Sequence, residues 1–313
     1  MPAHRIASYC HPVGSNQSDV RDFLVSRRGR LKPEQAGLRH YGSNRRVPGL
    51  RREEVALLAG LSVDYYTRLE RGNLTGVSET VLHAIADALQ LDESERTYLF
   101  ALFRAANASG RAPARVESQL VRPAVQLVLD GMTTSPAFVR NHQLDLLATN
   151  PLARALYSPV LDSAVARWGP HPNIARFHFL DPASPEFYPD WDAVADACVA
   201  ILRTEAGRAP RDLAPTGLVE DLLELSADFR TRWAAHNVRL RRSGTLAIYH
   251  PAVGRLELDF EDLILAADGG LTLAAYAVEP GTAAADGLRL LESLAASQPD
   301  GVERTGQSPQ LSV

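Results

Sequence analysis

With 313 residues, 45% hydrophobic content and a formal net charge of −4, the chain has the make-up of an ordinary globular protein with room for about two domains. It holds no apolar run long enough to span a bilayer, and the opening MPAHRIASYCHPVGSNQSD lacks the charged-then-apolar order of a secretory signal, so a cytoplasmic location is expected. Cys10 and Cys198 stand far apart and outside any CxxC, which argues against a disulfide framework and against a thiolate zinc site.

Residues 1–18 read as a disordered lead-in, and a first domain is expected over 19–108. Its first helix spans roughly Val20 to Arg30, with Val20, Phe23, Leu24 and Arg27 on related faces. Leu31 to Gly49 carries Pro33, Gly37, Gly42 and Pro48 among arginines and reads as a basic connecting loop.

The stretch LRREEVALLAGLSVDYYTRLERG, Leu50 to Gly72, follows as two short helices around a tight turn. Arg51 and Arg52 open the first helix, Glu53 and Glu54 suit the positive end of its dipole, and Val55, Leu58 and Ala59 are its expected buried face. Gly60 supplies the turn, Ser62 caps the second helix, and Tyr66 and Leu69 point back to the first. Ser62, Val63, Asp64, Tyr65, Thr67 and Arg68 are left facing outward or at the helix start. A major groove can use such a set: arginine bonds guanine edges, aspartate accepts from cytosine N4, and valine touches a thymine methyl. Helical geometry therefore offers Val63, Asp64, Tyr65, Thr67 and Arg68 to the groove.

Charge points the same way. Residues 21–71 hold twelve Lys or Arg against six Asp or Glu on a chain that is acidic as a whole. Gathering positives in one place serves counterion release from phosphates, which overall solubility does not require. Arg39, Arg45, Arg46, Arg51, Arg52 and Arg71 are the candidate phosphate contacts.

Ser78 caps a helix built on Val81, Leu82, Ile85, Ala86 and Leu89, and another runs from about Asp92 to Ala106 with Tyr98, Leu99, Leu102 and Phe103 inward. The first domain is thus an all-α helix-turn-helix bundle. Residues 109–116, small and Pro/Gly-bearing, read as a linker.

The second domain is expected over 117–297. It starts with a helix near Glu117 to Asp130 and strands at Ala137 to Asn141 and Leu144 to Ala148. Helices at Tyr188 to Gly207, Thr216 to Leu225 and Ala227 to His236 come next. Strands at Gly244 to His250, Leu256 to Leu265 and Leu271 to Val278 precede a closing helix at Ala283 to Ala296, and residues 298–313 read as a frayed tail. Strands at both ends with helices between them give an α+β layer, an antiparallel sheet with its helices on one face. Such a layer can enclose a pocket lined by Phe138, Tyr157, Phe177, Phe179, Phe187, Tyr188, Trp191, Phe229, Trp233, Phe260 and Tyr276. Singly, each of these aromatics reads as core; only the group hints at a ligand.

VPGLRREEVALLAGLSVDYYTRLERG resembles the N-terminal signature of the MmyB-like branch of Xre-type helix-turn-helix regulators. FVRNHQLDLLATNPLARALY, FLDPASPEFYPDWDAVA, FRTRWAAHNV, HPAVGRLELDFEDL and AVEPGT resemble its C-terminal motifs, in order, over about residues 20–295. The resemblance implies a DNA-binding transcription regulator whose C-terminal domain is PAS-like and holds a small apolar or fatty-acyl ligand, with no other cofactor and no metal. It makes Ser62, Val63, Asp64, Tyr65 and Arg68 the base-reading positions, and it places Asn150, Trp233 and His236 in recurrent C-terminal motifs. Two positions depart from the usual pattern: Asn237, where Asp is more usual, and Ala148, where Trp is common before the Asn. An acyl ligand's head group needs a cation or donor, for which Arg140, Arg230, Arg232 and His236 are candidates. A homodimer is expected, because one recognition helix reads too few base pairs for useful specificity.

Two other readings of the C-terminal domain stand beside this one. An enzyme is disfavoured because GxSxG, HExxH, GxxxxGK and GxGxxG are all missing and the nine histidines show no ligand-like pair spacing. A module that captures a protein partner remains open.

Overall fold

In the computed structural model, which describes residues 16–38, 47–107, 120–208, 217–238 and 241–297, the N-terminal part folds as α1 (Asn16–Arg30), α2 (Arg52–Leu58), α3 (Val63–Glu70), α4 (Glu79–Ala88) and α5 (Glu93–Asn107). The periodic residues do what their spacing requires: Val20, Phe23, Leu24, Val55, Tyr66, Leu69, Leu82, Ile85 and Leu99 are wholly or almost wholly buried in one cluster. Ser62 and Ser78 cap α3 and α4 by accepting from the backbone N–H of Tyr65 and Val81. Gly60 has φ +65°, the left-handed residue that ends α2 and turns the chain into α3. Gly72 is needed for a different reason, since a Cβ there would overlap the Gln17 carbonyl of α1.

Leu58 corrects the sequence expectation. It is 37% exposed, and Ala56 takes its place beside Val55 and Ala59. The seven-residue helix has one narrow inward stripe, and α3 approaches it closely enough that alanine, not leucine, fits.

The second half comprises α6 (Pro123–Gly131), β1 (Ala137–Arg140), β2 (Leu146–Thr149), α7 (Pro151–Leu156), α8 (Ser158–Asp162), α9 (Ile174–Leu180), α10 (Ser184–Phe187), α11 (Trp191–Arg208), α12 (Gly217–Leu225), α13 (Ala227–Ala234), β3 (Ser243–His250), β4 (Gly254–Ile264), β5 (Thr272–Ala277) and α14 (Ala283–Ser297). The five strands form one antiparallel sheet in the order β2-β1-β5-β4-β3. The α+β expectation holds, with the N-terminal strand pair joined to the C-terminal meander through β1 and β5, where Val139 faces Leu273.

Two helix starts and the covering of the sheet differ from the expected ones. The helix expected near Glu117 starts at Pro123, because Arg122, held extended ahead of a proline, cannot be helical. Tyr188 lies outside α11 for the same reason, preceding Pro189 with φ −110° and ψ 96°. The sheet is also covered on both faces. Phe138, Ala274 and Tyr276 join the main core under α7–α14, whereas Ala137, Val139 and Leu273, of opposite parity, pack with Val125 and Leu129 of α6. The expected linker 109–116 and the tail 298–313 lie outside the described residues, whereas Asn16 to Ser18 of the expected lead-in belong to α1. Among the described residues no helix is long and apolar enough to cross a membrane.

Asn150 fastens β2 to its surroundings. Wholly buried, its Oδ1 accepts from the N–H of Ala137 (3.1 Å) and of Ala153 (2.8 Å), and its Nδ2 donates to the carbonyls of Met132 (2.7 Å) and Ser135 (2.8 Å). Asn150→Ala strands two buried N–H groups and two half-buried carbonyls and should lower the unfolding free energy by about 3 kcal/mol in urea titration; a loss under about 1 kcal/mol would deny the side chain this role.

Candidate DNA-reading and ligand-sensing sites

The capped start of α3 projects from the N-terminal bundle. Ser62, Val63, Asp64 and Arg68 are exposed, Tyr65 and Thr67 half-buried, and Tyr66, Leu69 and Glu70 form the inner face. The Arg68 guanidinium lies 5.5 Å from the Tyr65 ring centroid, so two of the base-reading candidates support each other. Beside them, Arg51 N-caps α2, its N–H bonded to the Glu54 carboxylate at 2.7 Å and its guanidinium 3.3 Å from Glu53. Glu53, Glu54, Leu57, Leu61, Ser62 and Val63 border an open groove of about 420 Å³ at this edge.

The basic surplus is not all on the surface. Glu70, 1% exposed, binds both Arg28 and Arg52, and Glu95, equally buried, binds Arg27 (3.2 Å) and Arg30 (2.8 Å). Arg52, expected on phosphates, is thereby tied to the α3 C-terminus while keeping about half its side chain exposed. Arg71 is exposed at the end of α3, and Arg39, Arg45 and Arg46 lie outside the described residues. What the sequence reading missed is the pairing: two acids buried within a basic domain, each shared by two arginines. Glu70 and Tyr66, four apart on one helix face, were the available signal.

In the C-terminal domain most of the expected pocket residues do converge. Phe138, Tyr157, Phe177, Phe187, Tyr188, Phe229 and Tyr276 are buried in one core, with Phe179, Trp233 and Phe260 packed at its margin. The rings fill the space between them: Phe138 meets Tyr157 edge-on at 5.0 Å, Tyr188 meets Phe187 at 4.7 Å, and the Tyr157 and Tyr276 hydroxyls are hydrogen-bonded at 2.5 Å. Burial holds the phenols of Tyr157, Tyr188 and Tyr276 well above their usual pKa and pushes the Cys198 thiol up to about 12. The cluster is therefore neutral, with polar groups at its centre. Arg140, 8% exposed, borders it and is paired with Asp262 at 2.5 Å.

The remaining candidates lie apart from this centre. Arg230 is exposed and donates to the Leu223 and Glu224 carbonyls at the end of α12. Arg232 pairs with Asp192 and Asp196 on α11 and lies over Trp191. Asn150 is occupied as described above, and His236 faces α1 of the other domain.

Residues 121–291 match the MmyB-like transcription regulator ligand binding domain, and residues 23–99 match a helix-turn-helix domain. The chain belongs to the MmyB-like transcription regulators. An MmyB-like regulator of this layout carries a helix-turn-helix DNA-binding domain followed by a ligand-binding domain, the arrangement of a ligand-sensing transcription regulator. No curated protein matches it.

His178 gives this domain of the MmyB-like regulator a pH signature. It is stacked on Trp191 at 4.6 Å, and burial lowers its pKa from 6.5 to about 3. Below pH 6.5 the unfolded chain binds a proton here that the folded one refuses, so the contribution is intact above pH 6.5 and is lost as pH falls toward 3. At pH 5 this one group should withdraw about 2 kcal/mol of stability. Urea titrations at pH 7 and pH 5 should show that loss in the native chain and a flatter dependence in His178→Phe; equal slopes would reject the assignment.

Proposed function

We propose that this regulator binds operator DNA as a homodimer through α3, and that occupancy of the aromatic core by a fatty acid or similar apolar acid governs that binding. The observation that carries the DNA half is the capped, outward-facing start of α3, with Val63, Asp64 and Arg68 exposed and Arg51 alongside. One such helix covers few base pairs. A second copy sets another recognition helix about 34 Å away, one turn of the duplex.

The ligand half rests on the three buried phenols and on Arg140. Of the four cationic head-group candidates, Arg140 is the one beside the tyrosine cluster, and its partner Asp262 is a carboxylate that a ligand carboxylate can replace. Because the rings now fill the core, an acyl chain enters by displacing them. Burial of the chain, about 0.8 kcal/mol per CH₂, supplies the energy. The small Ala148 lies opposite Val139 and packs on the α6 face of the sheet, away from the tyrosine cluster, so it does not widen this site.

Arg68→Ala should lower discrimination between operator and random duplex by about tenfold or more, whereas Arg51→Ala should weaken both alike and flatten the salt dependence. Equal losses on both duplexes for Arg68→Ala would remove it from base reading.

For the sensor half, organic extraction of the purified protein followed by mass spectrometry should yield one acyl acid at about one equivalent, and added myristate should raise the melting temperature of the stripped protein. Absence of both the extracted acid and the myristate-dependent rise would overturn the acyl-ligand reading and favour a protein partner; turnover of the acid would favour an enzyme.

A further inference from the structure

Arg203 is buried at 2% exposure on α11, where its guanidinium bonds to an imidazole and a backbone carbonyl. Its Nη1 is 2.9 Å from His236 Nδ1, its Nη2 donates to the Trp233 carbonyl, and its guanidinium carbon lies 4.2 Å from the Trp233 ring centroid. The remaining neighbours come from the other domain. Burial pushes the Asp19 carboxyl of α1 up to about 6 and the Tyr98 hydroxyl of α5 up to about 12, and in both cases the Arg203 charge acts to pull the value back down. His236 completes the junction: its carbonyl accepts from Arg27 of α1, and its Nε2 lies 3.8 Å from Asp22. A donor at Nδ1 makes that nitrogen the acceptor and leaves the proton on Nε2, toward Asp22. Two residues on, Val238 inserts into the core of the N-terminal bundle at 1% exposure.

We propose that the Arg203–His236–Arg27 contact is the joint by which the ligand domain holds the DNA-reading domain in one orientation, and through which ring movement in the aromatic core reaches α3. The purpose of the joint rests on the reading given under Proposed function; its existence rests on the geometry alone.

The physical case has three steps. A guanidinium cannot shed its proton, so its burial must be offset by the acceptors around it. Here several of those acceptors, and the α1 and α5 surfaces that exclude water, belong to the partner domain, so separating the domains hydrates Arg203 and replaces one favourable environment by another. That is a two-state junction made of large opposing terms, the kind a modest change can tip.

The second step is the backbone. His236 has φ +53°, a left-handed conformation just beyond the end of α13, and this lets one residue offer its imidazole to Arg203 and its carbonyl to Arg27.

The third step is connection. Trp233, the platform under Arg203, stacks on Phe229 at 5.4 Å, and Phe229 meets Phe179 at 5.1 Å. From Phe179 the rings continue through His178 and Tyr188 to Phe187 and Tyr157. Displacing Tyr157 or Tyr188 therefore disturbs a packed line that ends at the joint. α11 also carries Cys198, Val199 and Leu202 into the same core within the five residues before Arg203.

The test uses the full chain with Cys10→Ser, Thr80→Cys on α4 and Leu127→Cys on α6, spin-labelled and diluted with unlabelled protein. Electron–electron distance measurement should give one narrow distribution, which Arg203→Leu and His236→Asn should broaden. Asparagine tolerates the left-handed backbone and keeps the carbonyl for Arg27, so His236→Asn still reads the joint where Arg203→Leu fails to fold. On a duplex selected by the unmutated protein from a random pool, both variants should lose about tenfold in affinity for paired half-sites while binding a single half-site unchanged.

A narrow distribution in a folded variant would overturn the joint whatever happens on DNA. Broadening with unchanged affinity for paired half-sites would overturn its coupling role. If the unmutated chain selects no duplex, the DNA-binding reading fails and the label distances alone still decide whether the joint exists.

Discussion

The structure turns on an arginine that has nowhere to put its charge except the seam between two domains. Removing one partner of a buried charge generally costs about 3–5 kcal/mol, because the remaining charge stays dehydrated. At Arg203 the partners are distributed: a carbonyl and an imidazole from its own domain, and an aspartate and a phenol from the other. Neither domain alone provides the full environment. The seam is thus specified by charge and directional bonding, whereas apolar contact between α5 and α11 would permit sliding.

The same economy of charge governs the DNA-reading half. A segment that holds twelve Lys or Arg against six Asp or Glu over residues 21–71 repels itself, and Glu70 and Glu95 relieve part of that repulsion from within. Their positions matter as much as their sign. Glu70 closes α3 and is bound from both sides by Arg28 of α1 and Arg52 of α2, so the angle of the reading helix is set by ion pairs below it while Val63, Asp64 and Arg68 stay free above. Glu95 binds Arg27, which also reaches His236, so this internal network of α1 and α5 continues into the interdomain joint.

Local signals carried most of the fold. Ser62, Gly60 and Ser78 announce helix ends by chemistry that acts within a few residues, and the structure has them where that chemistry places them. Pro123 and Pro189 were equally local and had been overridden by the apolar periodicity around them, which is why two helix starts moved. The short helices α7–α10 have too few turns to show a period at all. For the sites, the outward face of α3 was legible because helical geometry alone decides it. The separation of Arg230, Arg232 and His236 from the tyrosine cluster was not, since it depends on which way the two turns of α13 and the residue just past its end face after packing. Arg203 was hidden for a related reason: an arginine four residues after Val199, on the buried stripe of α11, looks like an interruption until a second domain covers it.

A core of interlocked rings is an unusual design for a domain whose business is to admit a molecule, and the buried phenols explain how it can be both solid and responsive. Aromatic pairs hold by edge and face contacts that survive small rotations, so a chain of them can yield in steps. The Tyr157–Tyr276 hydrogen bond sets one arrangement of that chain, and an entering carboxylate that took either hydroxyl as donor would set another. What reaches the DNA is only the difference in ligand affinity between the two arrangements, and a tight ligand indifferent to the ring positions would transmit nothing. On the reading proposed above, recognition by the phenols and Arg140, more than burial of an acyl tail, is where the regulatory information would enter.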